Sequence, residues 1–356
     1  MPLQPTGFDK YIDQDVIIDL GPYTDYMQNY MKVRAVDDDC IRMTLSANGR
    51  LCHWRDINTV QQPTFMGPVV RRDWAEQLGY DPAELKTYDD YYEVLTAFKD
   101  AGLGDLGYVY GMTKNGFMAD LMLGYNLANV NNGFYQIDGV MHYKLYDEGL
   151  YDYLEMMTKW YSEGLIDRDF YTRTSTDAEE LFLNGRSGFG SILYINLDRY
   201  DIQTVGAETS NPDWTPIKTP AVNEDDTRVL VSAAGMNWVT NSSVTISTAA
   251  TEEEIKLICL YQDYFFTQEG FLLRNYGIRG EAYELDEDGK PYFLEFMTND
   301  PDGKSLNQMM WLYTMPHGST AAWYDWTREL GKSLSDKVKV QTAEEWDWNL
   351  EYQAQP

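Results

Sequence analysis

Thr87-Tyr-Asp-Asp-Tyr-Tyr-Glu-Val-Leu-Thr-Ala-Phe-Lys99 is the stretch from which the architecture is read. Thr87 and Asp90 have the spacing of a helix-capping box, with Asp in place of the longer Glu. Tyr91, Val94, Leu95 and Phe98 follow at helical spacing and make one apolar face. Gly102 is the stop signal, and residues 108–112 then read as a β-like run. Outward from here the same alternation recurs. A second helix carries Leu150, Tyr153, Leu154, Met157, Trp160 and Tyr161 and stops at Gly164. A third opens at Thr251 with Glu254 three residues on, shows Ile255, Ile258, Cys259, Phe265 and Phe266, and is predicted to end near Gly270. Residues 16–20, 188–195 and 229–231 are further β-like runs. Residues 283–285 and 292–294 flank Asp286-Glu-Asp-Gly289, the signature of a hairpin turn. Helices alternating with short strands indicate an α/β fold. The stretch from Trp311 to Trp348 holds five of the ten Trp, is polar between them, and gives no clear element.

The chain has 356 residues, a length that suggests two lobes. No fixed-period repeat and no Pro- or Ser-rich linker divides it, so the lobes are expected to be joined by crossing strands. Asp plus Glu number 57 against 28 Lys plus Arg, a net charge of −29. That balance argues against nucleic acid as a partner and against docking on anionic lipid. Apolar residues make up 44%, enough for a large core. Tyr and Trp, at 28 and 10 against 13 Phe, offer flat apolar faces with a polar handle and suit a polar, ring-shaped ligand. The longest uncharged stretch, 229–251, is broken by Ser, Thr and Asn and does not read as a bilayer span. Met1-Pro-Leu-Gln-Pro5 has no signal-peptide pattern. Cys40, Cys52 and Cys259 form no disulfide framework, and the three His (His53, His142, His317) lie outside any zinc motif.

Several motifs are weaker than they look. Gly102-Leu-Gly-Asp-Leu-Gly107 matches a dinucleotide fingerprint literally, but it follows a helix and precedes a strand, the reverse of what the phosphate site needs. Gly185-Arg-Ser-Gly-Phe-Gly190 is one residue out of register for a nucleophile elbow and reads as a turn into a buried strand. Asp37-Asp-Asp39 and Asp286-Glu-Asp-Gly289 lack the alternation of a calcium loop. Paired carboxylates of the hydrolase type carry no information in so acidic a chain. Among the aromatics, Trp160, Tyr153 and Tyr91 fall on apolar helix faces and read as packing. Trp238, after a buried run, Trp54, in a loop beside Arg55, Tyr125, after Gly124, and Tyr194, at the end of a buried run, are the ligand candidates, since loops at strand ends carry function.

Read in order, a set of stretches resembles the bacterial extracellular solute-binding proteins of family 1, the long lipoprotein type that serves ATP-driven sugar importers. These are Gly7-Phe-Asp-Lys-Tyr-Ile12 with Ile17-Ile-Asp-Leu20, Asn48-Gly-Arg50, Val70-Arg-Arg-Asp-Trp74 with Leu78-Gly79, and the 87–99 helix. Trp160-Tyr-Ser-Glu-Gly-Leu-Ile-Asp167 and Asn275-Tyr-Gly-Ile-Arg-Gly280, with Tyr283 and Asp288-Gly-Lys290, complete the series. Three departures stand out. The Asp/Asn-rich calcium loop that follows the "afK" helix in uronate-binding relatives is absent after Lys99, so no metal or other cofactor is carried over. Arg279 stands where Glu is usual. The pattern also begins and ends inside the family's length, so the chain reads as a fragment, expected to be poorly stable alone.

The resemblance implies a two-lobed, type II periplasmic-binding-protein-like fold with a hinge and an interlobe cleft. One lobe is expected from residues 1–110 and 236–280, the other from 111–235 and 281–356, with crossings near 108–113 and 235–240. It implies binding without catalysis: a neutral oligosaccharide held in the cleft and delivered to the permease subunits of an ABC importer. A monomer is expected, extracellular and lipid-anchored in the full-length protein. Trp238 and Trp54 are expected to stack on sugar, beside Tyr194, Tyr125 and Tyr276, with Arg71, Asn237 and Arg279 supplying hydrogen bonds. The alternatives are a receptor for a peptide or cationic solute, which would line the site with acids, and a glycan-degrading enzyme, which would need two facing carboxylates.

Overall fold

A computed structural model describes residues 8–59, 66–105, 108–110, 120–125, 127, 134–137, 140–204, 213–226, 228–230, 239–302, 304, 306–315, 321–325, 337–346 and 350–352. Helices α1 (Phe8–Asp13), α2 (Gln28–Arg34) and α3 (Asp38–Met43) lead into strands β1 (Trp54–Asn58) and β2 (Met66–Arg71). Next come α4 (Arg72–Gln77), α5 (Tyr88–Asp100), β3 (Tyr108–Tyr110), β4 (Phe134–Ile137), β5 (Val140–Tyr143), α6 (Gly149–Ser162) and α7 (Ser175–Leu183). After them follow β6 (Phe189–Leu193), α8 (Leu197–Gln203), β7 (Trp214–Pro216), β8 (Arg228–Leu230) and β9 (Val239–Val244). The last third holds α9 (Glu252–Tyr264), α10 (Gln268–Tyr276), β10 (Tyr283–Leu285), β11 (Pro291–Phe293), α11 (Glu295–Thr298), α12 (Leu306–Tyr313), β12 (Trp323–Tyr324), α13 (Thr342–Trp346) and β13 (Leu350–Tyr352).

The capping boxes are made as the sequence spells them. Thr87 Oγ1 accepts from the Asp90 amide and the Asp90 carboxylate accepts from the Thr87 amide, which satisfies two donors at the start of α5. Thr251 and Glu254 repeat this at α9. Gly270 behaves differently from expectation. Instead of ending α9, it lies in the first turn of α10, capped by Thr267, and a Cβ there would meet the Tyr264 carbonyl oxygen at 2.0 Å. It is a glycine of close approach, not a terminator. Residues 16–20 form one bridge, Ile17 to Ser247, and no strand. The 283–293 hairpin forms as read.

The chain folds as two compact units. One comprises residues 1–62 and 236–333, the other 63–235 and 334–356. The strand pairings place several segments within one unit or the other. Residues 66–71, which the sequence did not show as a strand, pair with β6 and β7 in the second unit's sheet. β3 is also part of that sheet, parallel to β6, so residues 108–110 are not a crossing. Residues 283–293 pack with Tyr276 of α10, Met297 and Met309, which keeps the hairpin in the first unit.

The first unit's sheet has the order β12-β1-β9, with β12 parallel and β9 antiparallel to β1. Leu20, Tyr30, Trp54, Ile57, Ile255, Cys259 and Phe266 form its core. The second unit's sheet has the order β3-β6-β2-β7. The apolar face of α5 (Tyr91, Val94, Leu95, Phe98) packs there with Val70, Trp160 and Phe189. Trp346 of α13 covers β2: its Nε1 donates to the Pro68 carbonyl at 3.0 Å, and a Cβ on Gly67 would meet its indole at 2.3 Å.

Candidate functional site

The backbone leaves or enters the first unit after residues 62, 235 and 333. β1 ends at Asn58 shortly before the first passage, β9 begins at Val239 shortly after the second, and β12 ends at Tyr324 before the third. Asn58 is registered with Tyr324 in the parallel pair, and Ile57 with Val239 in the antiparallel one. The carboxyl ends of β1 and β12 and the amino end of β9 therefore lie at a single edge of the sheet, the carboxyl edge of the parallel pair. In open α/β sheets this is where ligands bind.

The side chains at that edge are polar and tightly tied. Asp325, the residue after β12, is 9% exposed. Tyr276 Oη donates to Asp325 Oδ2 at 2.8 Å, and the Asp325 amide donates to Asn275 Oδ1 at 3.0 Å. Asn275 Nδ2 donates to the carbonyls of Trp323 and Phe271 at 3.0 and 2.8 Å. The end of β12 is thus held by two consecutive side chains of α10. Trp323 is half-buried. Its ring lies 4.6 Å from that of Phe271, and its Nε1 donates to Thr59 Oγ1 at 2.8 Å. Both ends of the indole are therefore restrained. On β1, Asp56 Oδ1 accepts from the Ala322 amide at 2.8 Å, which locks the two strands in register.

The second unit has a matching edge. Met66, just after the first passage, is registered with Leu193, and β3 and β6 run parallel with Tyr110 opposite Ser191. Tyr194, buried, and Asn196, half-buried, lie in the 3-10 turn that continues from the carboxyl end of β6.

The residues named from sequence do not gather at one place. Trp54 is at the opposite end of β1 from Asn58, ~13 Å along the strand. It is 0% exposed within the core, and its Nε1 has no hydrogen-bond partner. It is a packing residue: 54–58 is a buried strand, not the loop that its charged residues suggested. Arg71 is at the far end of β2 from Met66, ~16 Å along the strand. It is buried against Trp74, 4.6 Å from the ring centroid, with Trp214 at 5.9 Å, and its Nε donates to Asp73 at 2.7 Å. That guanidinium is committed to joining β2 to α4. Tyr125 packs on Tyr88 and Tyr153 in the helix layer, at 4.7 and 5.9 Å. Burial, with Asp152 and Asp89 nearby, pushes its hydroxyl up to about 12. Arg279 is exposed and pairs with Glu284 at 3.0 Å across the base of the hairpin. Tyr276 and Tyr194 are at the two edges, one in each unit. Trp238 and Asn237 lie outside the described residues, directly before Val239. Trp323 and Asp325 were missed. Their only sequence signal was the Trp-rich stretch in which they lie.

No group of three His, Cys, Asp or Glu suited to a metal occurs among the described residues. Burial pushes the thiols of Cys40 and Cys52 up to about 12 and that of Cys259 up to about 11, so none is a poised nucleophile. Among the described residues, no helix is long and apolar enough to cross a membrane.

Among solved structures, the alginate-binding protein AlgQ2, in its calcium-free form, superposes with a TM-score of 0.74 at 18% identity, over 93% of this chain and 66% of that one. The Streptococcus pneumoniae ABC-transporter substrate-binding protein FusA, in complex with kestose, gives 0.71 at 15% identity, over 96% and 69%. The fold is that of the ABC-transporter solute-binding proteins. By sequence, the chain is 28% identical to lipoprotein LipO of Bacillus subtilis over 295 residues, 79% of this chain and 55% of that protein. It is 24% identical to the polygalacturonan/rhamnogalacturonan-binding protein YtcQ of the same organism, over 74% and 51%. The chain spans about half the length of these curated relatives. No family model matches it. These relatives and neighbours are binding proteins or lipoproteins by name, and none of the four is named as an enzyme.

Proposed function

We propose that the chain is the substrate-binding part of an ABC importer, that it takes a neutral oligosaccharide, and that it performs no chemistry on it. The observation that carries this reading is the edge geometry. In each unit the carboxyl ends of a parallel strand pair share one sheet edge, and each edge bears aromatic and amide or carboxylate side chains. Solute-binding proteins of this fold supply the frame for a ligand held between two lobes that close by a hinge. Trp238, Asn237, Tyr194 and Tyr276 stay in the proposed ligand set, and Trp323 and Asp325 join it. Aromatic faces would cover the apolar faces of sugar rings, and amides and carboxylates would bind the hydroxyls. The closed form would dock on the permease, and the full-length protein would be a lipid-anchored extracellular monomer with no nucleic-acid partner.

Thermal-shift measurements test the reading with kestose, maltotriose and Man5GlcNAc as neutral probes, and a basic peptide as the competitor class. A sugar present at one hundred times its dissociation constant stabilises the folded state by about 2.7 kcal/mol, a readily measured shift. A shift with the peptide and with none of the sugars would transfer the protein to the cationic-ligand class. Release of shorter sugars during incubation would make it an enzyme.

A further inference from the structure

We propose that the outer face of α6 is a second glycan-binding surface: a strip of solvent-facing tyrosines that grips a neutral polysaccharide chain, distinct from the residues of the sheet edges. It goes beyond the importer reading, because it gives the chain a hold on polymer outside the site for the transported sugar.

Both faces of α6 carry aromatic residues. Tyr153, Met157 and Trp160 fill the inner face and are buried in the second unit's core. On the outer face, Tyr151 is 73% exposed and Leu154 and Tyr161 are each 41% exposed. At about 100° per residue, these three and Thr158 fall within roughly 80° of one another, over ~15 Å of helix axis. Tyr171, 66% exposed, continues the strip past the helix end. Its ring lies 6.4 Å from that of Phe170, which in turn lies 6.1 Å from that of Tyr161. A surface helix needs one apolar stripe to fold, and the inner face supplies it. The outer rings are therefore surplus to the core.

The pattern of the strip selects the ligand class. A protein-docking patch has a contiguous apolar centre from which charge is depleted. Here polar groups separate the rings: Asp152 and Glu155 flank Tyr151, and Thr158 stands between Leu154 and Tyr161, all exposed. Flat faces alternating with oxygen acceptors match linked sugar rings, whose apolar faces alternate with hydroxyl-bearing edges. Charge narrows the class further. Asp152 and Glu155 disfavour an anionic chain. Lys159 Nζ lies 3.7 Å from the centroid of the Tyr92 ring on α5. Arg168, at the far end, has Asp169 beside it, and both are exposed. A convex helix face can hold an extended polymer but cannot enclose a single sugar, so affinity comes from several rings engaged at once.

Native affinity electrophoresis of the full chain provides the test, in gels containing hydroxyethylcellulose, soluble starch, laminarin or polygalacturonate. At least one neutral polymer should retard the native chain, and polygalacturonate should not. The Tyr151→Ala/Tyr171→Ala variant should lose about 5- to 30-fold in affinity per ring removed, the range for a truncated aromatic anchor. Tyr151→Phe should be retained like the native chain, because the ring face and not the hydroxyl makes the contact. Both positions are exposed, and circular dichroism confirms that the variants fold. The melting-temperature gain from whichever of kestose, maltotriose or Man5GlcNAc binds should be the same in the double variant and the native chain. Unchanged retention of the double variant would place polymer binding elsewhere and overturn the proposal, as would a native chain that no neutral polymer retards. Loss of the small-sugar shift together with retention would assign the tyrosines to the transport site and overturn it as well. If no small sugar binds but the polymer contrast appears, the importer reading falls and the strip stands. Self-association of the native chain that the double variant abolishes, without polymer retention, would give this face to a second copy.

Discussion

The two sheets share an edge topology and differ in what they bury. In the second unit, β2 sets Val70 against an apolar core, and Trp346 covers Gly67 and bonds the Pro68 carbonyl. In the first unit, β1 and the residue before it bury His53, Arg55, Asp56 and Asn58 around two large apolar residues, Trp54 and Ile57. Apolar burial stabilises at little specificity, whereas buried polar groups cost free energy unless paired and confer specificity when they are. The second unit is thus built mainly for stability. The first invests in a polar lattice that fixes β1, β12 and α10 relative to one another, and the candidate ligand residues Asp325 and Trp323 hang from that lattice.

The largest expected effect breaks the stable side of this contrast. Trp346→Ala removes a buried indole from β2 and leaves the Pro68 carbonyl with the Ile217 amide alone as donor. Large-to-small changes of this kind cost about 3–5 kcal/mol. Scanning calorimetry should show the transition of the 63–235 unit falling by on the order of 10 °C. A melting profile identical to that of the native chain would mean that residues 334–352 do not support the sheet.

The next effect probes the polar side. Burial, with Arg55 and Arg34 nearby, holds the His53 imidazole down at about 3, and its ring stacks on Phe8 at 4.3 Å. The unfolded chain takes up this proton near pH 6.5 and the folded chain only near 3. Stability from the neutral His53 is therefore complete above about pH 6.5 and is lost progressively as pH falls toward 3, by roughly 1 kcal/mol per pH unit. His53→Gln should remove that one-proton slope from urea-unfolding free energies between pH 4 and 6.5, leaving the carboxylate contribution. An unchanged slope would show that His53 is protonated in the folded protein.

The same contrast explains what could be read from sequence. The second unit's helices obey local rules: capping boxes at Thr87 and Thr174, a 3.6-residue apolar face on α5, and glycine stops after α5 and α6. The first unit's site depends on pairings over long sequence distances. β12 is two residues long, too short for any periodicity, and it exists because it pairs with a strand more than 260 residues earlier. β1 hides because Arg55 and Asp56, which look like loop residues, are buried. Trp54 was drawn into the ligand set for that reason, although it faces the core at the wrong end of its strand. Arg71 entered the ligand set with the family resemblance, but in the structure two tryptophans and Asp73 take up its guanidinium. Tyr194 follows the buried run read from sequence and lies in the turn after β6, whereas Tyr276 ends a helix and reaches the edge of the first sheet only through its hydroxyl.

The smallest effect concerns Arg279, whose presence in place of Glu suggested altered ligand contacts. Its side chain is 58% exposed, and its ion pair with Glu284 closes the hairpin base in solvent. Exposed pairs of this kind contribute about 0–1 kcal/mol and fade with salt, because both charges remain hydrated and screened. Arg279→Ala should therefore leave the melting temperature within about 2 °C of the native value. The small difference should disappear in 0.5 M NaCl, and the shift produced by a binding sugar should persist. The hairpin belongs to the first unit but lies outside the hydrogen-bonded group formed by Asn275, Tyr276 and Asp325. Loss of the sugar-induced shift in this variant would extend the ligand surface from the sheet edge to the hairpin.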